Sequence, residues 1–499
     1  MNCKPQSRRI AVIGAGIAGL AAAHRLLELN PSCLITLFEA SDRLGGVIST
    51  INRRGFQVER SSDNFITTVP WGVNLCKRLG LAEQLIQTNP AYRRTFVVRA
   101  GRLHRLPEGF LMMAPTRLWP LAVTPLLSPL GKLRAALEYF IPPRKDPSDE
   151  SMASFVRRRL GREVFQRLVE PLVSAVYAAD MEKLSLLATL PRFREMELKH
   201  GSLIRAMRRQ KKMNPHAGSE SGARYSMFVT LRDGLKSLVD ALAARLPVDA
   251  IRLNTKVEQL RRIENKWRVW TSSPHPNPLP KGEGTVNDLP KGEGTSDNLI
   301  KGQGTSDFEA VIIAASSSLS ASLLAETDAS LSAELAAISH QGTAIVSLGY
   351  NDRQVGHPLD GMGAVVPAIE QSPILAISFS SRKYAHRAPE GNTLLRVFVG
   401  GARHPELAEM PDEQLLPLVR RHTEKLLHIQ GDPVFFDVAH WPRTMPQYHV
   451  GHKDLIKRIE ARTASLPHLQ LAGNAYHGVG IPDCIHGGEL AAERILTAI

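Results

Sequence analysis

Ile10-Ala11-Val12-Ile13-Gly14-Ala15-Gly16-Ile17-Ala18-Gly19 is the stretch that decides the fold. Four apolar residues run into a glycine pattern, Ala18 to Leu29 is rich in Ala and Leu, and Leu34 to Phe38 is apolar again. This is the hydropathy of a β-α-β unit. In that setting Gly14 permits a tight turn, Gly16 lets the backbone approach a pyrophosphate, and Gly19 lets the helix pack on the strand. The helix N-terminus, opened by Ala15 to Ala18, then stabilises phosphate charge. Glu39 falls at the end of the second predicted strand, where a carboxylate accepts hydrogen bonds from ribose hydroxyls and disfavours a 2′-phosphate.

Working outward, 499 residues predict roughly three domains at ~150 residues each. With 43% hydrophobic and 22% charged residues, most of the chain is expected to fold. The cysteines Cys3, Cys33, Cys76 and Cys484 form no Cys-x-x-Cys pair, which argues against a disulfide framework or a zinc ribbon and for a reducing compartment. Lys and Arg exceed Asp and Glu by 62 to 48, so an anionic partner is expected. Nucleic acid, an anionic membrane surface and a polycarboxylate substrate all fit that charge. The N-terminus carries no signal-peptide pattern, and no apolar run is long enough to span a membrane.

The fold expected is α/β: a Rossmann-like dinucleotide-binding domain with an interleaved mixed β substrate domain and a helical subdomain. The boundaries drawn are 1–91, 224–330 and 440–499 for the discontinuous nucleotide domain, 92–223 for the helical subdomain and 331–439 for the substrate domain. A low-complexity insertion over 272–307 holds three ten-residue copies, LPKGEGTVND, LPKGEGTSDN and LIKGQGTSDF. The copies are too short and too polar to stack as a solenoid, and read as a flexible loop between two strands. A helix is predicted to begin near Ile485.

The run Glu39-Ala40-Ser41-Asp42-Arg43-Leu44-Gly45-Gly46 resembles the extended fingerprint of FAD-dependent oxidoreductases of the amine oxidase superfamily. With that resemblance, the glycines of Leu471-Ala472-Gly473-Asn474-Ala475-Tyr476-His477-Gly478-Val479-Gly480-Ile481 let backbone lie against an isoalloxazine ring, and the helix that follows stabilises negative charge at its N1–C2 edge. GNAYHGVGIPDCIHGG, WPRTMPQYHVGH and EPLVSAVYAADMEKLSLLATLPRF narrow the resemblance to the protoporphyrinogen and coproporphyrinogen III oxidase family. The resemblance implies oxidation of a porphyrinogen to a porphyrin in haem biosynthesis with FAD and dioxygen, and a helical domain that often meets the membrane. It assigns to FAD Gly14, Ala15, Gly16, Ile17, Ala18, Gly19, Glu39, Ala40, Arg43, Gly45, Gly46, Val257, Trp441, Gly473, Asn474, Val479, Gly480 and Ile481. Ser61, Ser62, Asp63 and Asn64 join that set, although Ser61-Ser62 stands where many relatives have a glycine-proline pair.

A porphyrinogen is an apolar macrocycle rimmed by propionates, so its site needs apolar walls and cationic anchors. Arg94 is the candidate anchor, one residue out of the family's register. No acid-base residue is named, because hydride removal from a meso carbon leaves a cation delocalised into the pyrroles and flavin N5 is the acceptor. Noncovalent FAD is expected: Cys484 stands in a different local motif from the attachment site of monoamine oxidases. His449-x-x-His452 lacks further metal ligands nearby, and Arg157-Arg158-Arg159 lacks the interleaved aromatics of a nucleic-acid surface. Coproporphyrinogen III is the preferred substrate expected, since its four propionates suit a basic chain better than the two of protoporphyrinogen IX. Another FAD-dependent amine oxidase or desaturase and a noncatalytic flavin- and porphyrin-binding scaffold are the rivals. A cytoplasmic location is expected, with peripheral membrane contact around Phe110 to Val123 and a homodimer left open.

Overall fold

The structure is a computed structural model and describes residues 8–213, 227–272 and 303–498. Five parallel strands build its first sheet: β1 (Arg9–Ile13), β2 (Leu34–Phe38), β3 (Ile251–Arg252), β4 (Ala310–Ile313) and β5 (Leu469–Leu471), in the order β3-β2-β1-β4-β5. Near-continuous apolar strands of this kind need cover on both faces. The helix Ile17–Leu29 supplies one cover through Leu20, Ala22, Ala23 and Leu26. The C-terminal helix Ile481–Ala498 packs onto it so closely that a Cβ on Gly488 would lie 2.1 Å from the Ala18 carbonyl oxygen. That helix begins at Ile481 rather than near Ile485, because the Gly480 carbonyl already accepts the Cys484 N–H and Pro482 suits a first helical turn.

Between β3 and β4 the chain makes three antiparallel strands, Val257–Ile263, Lys266–Ser272 and Gln303–Phe308. The expected insertion over 272–307 is therefore too wide at both ends. Ser272 pairs with Gln303, and Thr305, Ser306 and Asp307 of the third copy pair with Trp270, Val269 and Arg268. The rest of the insertion, 273–302, lies outside the described residues. Because Ser272 and Gln303 are already cross-strand partners, a two-residue turn can join them. Deleting 273–302 in favour of Asn-Gly is expected to leave flavin content and turnover unchanged; turnover lost with flavin retained would contradict this.

The second sheet has seven strands in the order Phe435–Pro446, His340–Asn351, Asn392–Gly400, Ile374–Phe379, Gly363–Val365, Thr95–Arg99, Arg102–Arg105. Val346, Leu348, Ile377 and Val397 face the helix Asp412–Leu427 and its buried Leu415, Val419 and Leu427. On the opposite face Val97, Val365 and Ala376 pack against helical residues Phe155, Val156, Leu168, Leu172 and Val173. Two expectations are corrected by this sheet. Residues 95–105 are strands of it rather than the start of a helical unit, since Phe96 and Val97 pair in parallel with Ala364 and Val365. The boundary at 440 also cuts a continuous strand, whose residues Phe435 to Pro446 pair along His340 to Gly349.

Candidate active site

At the C-terminal end of β1 the three glycines do different work. Gly14 has φ +98°, and a Cβ there would lie 2.6 Å from the Ala314 carbonyl oxygen; a Cβ on Gly19 would lie 1.9 Å from the Gly14 carbonyl oxygen. Both are fixed by protein packing. Gly16 has an ordinary φ of −68° and, among the described residues, nothing within 4 Å of such a Cβ, so its missing side chain leaves open space in front of the helix. That helix has no side-chain cap and no acidic residue in its first turn, which leaves the first-turn N–H groups to an external anion. Gly45 closes the cradle, bridging to Gly16 and donating its N–H to the Ala15 carbonyl at 2.8 Å. Arg43 holds this turn in shape through the carbonyls of Gly46 (2.5 Å) and Ile48 (3.2 Å).

Glu39 is half-buried at the end of β2. One carboxylate oxygen accepts the Ala15 N–H at 2.9 Å, and the other accepts the Ser41 N–H and hydroxyl at 2.9 and 2.8 Å. Its own N–H donates to the Arg252 carbonyl, and its carbonyl accepts the Thr255 N–H, so the next strand is tied to it. Val257, two residues on, is thereby packed with Ile13 and Phe38 at the ends of β1 and β2, while Ala40 is exposed.

The C-terminal loop reaches the same edge, with Ala472 N–H on the Ile313 carbonyl and Gly473 at φ +129°. Tyr448 joins this loop to the Trp441 to His452 block. Its hydroxyl donates to the Asn474 carbonyl at 2.6 Å, and the Asn474 amide donates to the Thr444 carbonyl at 3.1 Å. Its ring stacks on His452 at 4.0 Å and 12°. His452 is buried, and burial lowers it to about 4, so this ring is a neutral packing partner. Tyr448 also accepts the Ser185 N–H on its carbonyl at 2.7 Å, while the Gln447 amide donates to the Tyr177 carbonyl at 3.3 Å. The helical region is thus pinned beside the loop. Phe398 of the second sheet, Val479 of the loop and Tyr177 of the helices all lie half-buried against one core, so the three units meet on a shared apolar core.

Ser61 to Asn64 are held by charge. Lys383 Nζ lies 3.0 Å from both Asp63 oxygens, Arg396 Nη1 lies 3.3 Å from Asp63 Oδ2, and Arg396 also donates to the Ser61 carbonyl. Burial alone would raise the Asp63 carboxyl, but Lys383 and Arg396 more than reverse this and hold it below its ordinary value. Next door, the Trp441 indole N–H donates to the Arg60 carbonyl at 2.5 Å. Lys383, Arg396, Tyr177 and Tyr448 received no role from the sequence. Arg396 did leave a signal, a lone cation inside the apolar run Asn392-Thr393-Leu394-Leu395-Arg396-Val397-Phe398.

Arg94 stands apart from this meeting point in its contacts: it is half-exposed, and with Arg105 it shares Asp360, at 3.4 and 2.7 Å respectively. Cys484 is buried, and burial with Asp483 beside it pushes the thiol up to about 12, which favours a noncovalent cofactor.

The open cradle at Gly16, the uncapped helix and the carboxylate of Glu39 fit an adenine dinucleotide. The family model for flavin-containing amine oxidoreductases matches residues 17–496. The chain belongs to this family. Its cofactor is FAD, which Gly14 to Gly19, Glu39 and the Arg43 to Gly46 turn would hold at the phosphate and ribose end. Among curated relatives, the coproporphyrinogen III oxidase of Bacillus subtilis (strain 168) is 34% identical over 98% of each chain. The chloroplastic protoporphyrinogen oxidase of Nicotiana tabacum is 29% identical over 97% of this chain and 84% of that one. A crystal structure from Exiguobacterium sp. 255-15, provisionally described as a protoporphyrinogen oxidase, superposes with a TM-score of 0.83 at 30% identity, covering 98% of this chain and 99% of the other.

Proposed function

We propose that this flavoenzyme oxidises a porphyrinogen to a porphyrin in haem biosynthesis, with coproporphyrinogen III preferred and dioxygen as the terminal acceptor. The observation that carries the reading is the likeness over 98% of both chains to a coproporphyrinogen III oxidase, which takes in the second sheet and the helical region as well as the nucleotide fold. Bound FAD supplies the two-electron acceptor. The chain's own task is then to hold an apolar macrocycle in place, and Phe398, Val479 and Tyr177 offer walls from three separate units. A cation beside these walls suits a propionate: exposed Arg192 is near enough to Tyr177 to oppose part of the rise that burial gives its hydroxyl, and Arg94, which shares Asp360 with Arg105, is proposed as the anchor for a propionate that reaches beyond the walls. Aerobic kcat/KM values for coproporphyrinogen III and protoporphyrinogen IX on one preparation test this, with the former expected to be larger. A ratio favouring protoporphyrinogen IX tenfold would be about 1.4 kcal/mol in the wrong direction and would contradict the preference.

The location proposed is cytoplasmic with peripheral membrane contact. No helix among the described residues is long and apolar enough to cross a membrane. Helix Pro129–Ala136 and the turn after it bury Gly131, Ala135 and Glu138 while presenting Leu130, Leu133 and Leu137 outward at helical spacing, with Phe140 and Trp119 exposed 75% and 76%. In sequence, Arg117 precedes Leu118-Trp119 and Lys132 precedes Leu133. Such a face suits the interface of an anionic bilayer. Co-sedimentation with anionic vesicles at physiological salt is expected, and Trp119→Ser with Phe140→Ser should abolish it; wild-type protein left wholly in the supernatant would contradict the contact.

A further inference from the structure

Asp483 stands in the first turn of the C-terminal helix, immediately after Val479 and Gly480. Its side chain folds back over that loop. A Cβ on Gly478 would lie 2.5 Å from the Asp483 Cγ, and one on Gly480 would lie 2.7 Å from Oδ2, so both glycines make room for this carboxyl. It is half-buried, and among the described residues it forms no ion pair with a lysine or arginine. The carboxyl accepts the Gly480 N–H across the start of the helix, as an acid in a first turn commonly does; beyond that cap it keeps partial access and a place on the loop that meets the apolar core, with no lysine or arginine paired to it among the described residues.

The groups around it narrow what it can do. Tyr177 faces it from the helix Glu170–Tyr177, Tyr448 faces it from the segment after the strand Phe435–Pro446, and Cys484 and His486 stand on its own helix. Burial, with Asp483 adding to it, pushes both the Tyr177 hydroxyl and the Cys484 thiol up to about 12. Tyr448 is raised further, and its hydroxyl is committed to the Asn474 carbonyl. All three hold their protons in neutral solution and cannot accept another. His486 lies face to face on Trp71 at 4.0 Å and 4°. Burial raises the Asp483 carboxyl above its ordinary value, opposed in part by the Gly480 and Asp483 backbone N–H groups and by His486. A carboxylate made more basic in this way suits the work of a general base.

We propose that Asp483 accepts the pyrrole N–H proton released when a meso C–H bond of the substrate gives up its hydride. The inference rests on the porphyrinogen reading above. In the step, the meso C–H bond breaks and its electron pair leaves with hydrogen to the bound flavin, so the macrocycle is oxidised and the flavin reduced. A pyrrole N–H bond breaks, its electrons stay on the macrocycle to complete the new double bond, and the proton forms an O–H bond on the Asp483 carboxylate. Partial exposure of the side chain lets that proton pass to solvent before the next step.

The test compares wild type, Asp483→Asn and Asp483→Glu as FAD-loaded proteins. Asp483→Asn is expected to keep its FAD content and its affinity for the porphyrin product, to lose roughly 100-fold or more in kcat, and to lose the acid limb of the kcat/KM profile. Infrared titration of the resting protein should show a carboxylic acid C=O band that grows as pH falls in the wild type and is missing in Asp483→Asn. An unchanged kcat and acid limb in Asp483→Asn, beside an active wild type, would overturn the assignment alone. A wild type that oxidises no porphyrinogen would overturn the substrate reading and this step with it. Should Asp483→Asn fail to fold, Asp483→Glu decides: a moved acid limb with lower kcat supports the role, and an unchanged profile overturns it.

Discussion

Gly16→Leu is expected to yield a folded protein that holds no flavin. The backbone at Gly16 is ordinary for any residue, and a Cβ there meets nothing within 4 Å among the described residues, so the substitution imposes neither backbone strain nor a clash at Cβ. What the new side chain fills is the space in front of the uncapped first turn, where the pyrophosphate of the dinucleotide would be received. FAD affinity should fall at least about 100-fold, or about 2.7 kcal/mol, while the melting temperature of the apoprotein changes little. Gly19→Ala is the contrasting case. Its Cβ would sit 1.9 Å from the Gly14 carbonyl oxygen, so it should lower apoprotein stability outright, by about 1–3 kcal/mol. Titration of both apoproteins with FAD, alongside thermal melts, separates the two. Full FAD affinity in Gly16→Leu would contradict the cradle.

Arg396→Met should cost about 3 kcal/mol, read as a fall in the urea midpoint at unchanged slope. Arg396 is 1% exposed, and its loss leaves the Ser61 carbonyl without that donor and Asp63 with Lys383 as its ion-pair partner and the more remote Arg387. The effect has a defined pH dependence. Asp63 lies below its ordinary value in the folded protein, so its ionised form contributes stability above the usual carboxylate range and loses it as pH falls through the depressed value. The stability gap between wild type and Arg396→Met should therefore be largest near neutral pH and shrink in acid. A gap that widens in acid would contradict the ion pair. Because this cluster fixes Ser61 to Asn64 beside Trp441, FAD affinity should fall along with stability.

The readable parts of this chain are those whose physics is local. The β-α-β unit announces itself because strand, glycine turn and helix lie within thirty residues and each glycine has its own steric reason. The hairpin Thr95–Arg99 with Arg102–Arg105 is local too, but its place as the edge of the second sheet comes from parallel pairing with Gly363 to Val365, more than two hundred residues away. Gln303 to Phe308 was hidden for a related reason. Its polar text matches the repeats before it, and the burial that makes it a strand is supplied by Phe308 and by partners in Lys266–Ser272. In the site, the glycine segments and Glu39 were visible as motifs, whereas the roles of Tyr448, Lys383 and Arg396 depend on what the fold sets against them: Asn474, Asp63 and Ser61. Tyr448 was visible as a letter in a motif and became meaningful only when its hydroxyl met the loop carrying Gly473 to Gly480.

The central claim is that the FAD of this protein takes electrons directly from a porphyrinogen. Anaerobic mixing of the FAD-loaded protein with coproporphyrinogen III tests it most directly, with flavin absorbance and porphyrin fluorescence followed together. The account predicts that the oxidised flavin absorbance bleaches within a turnover time, and that admitting air restores it and lets the porphyrin fluorescence grow faster than in a protein-free control. Flavin that stays oxidised under an excess of coproporphyrinogen III and of protoporphyrinogen IX, in a preparation with full FAD content, would contradict it.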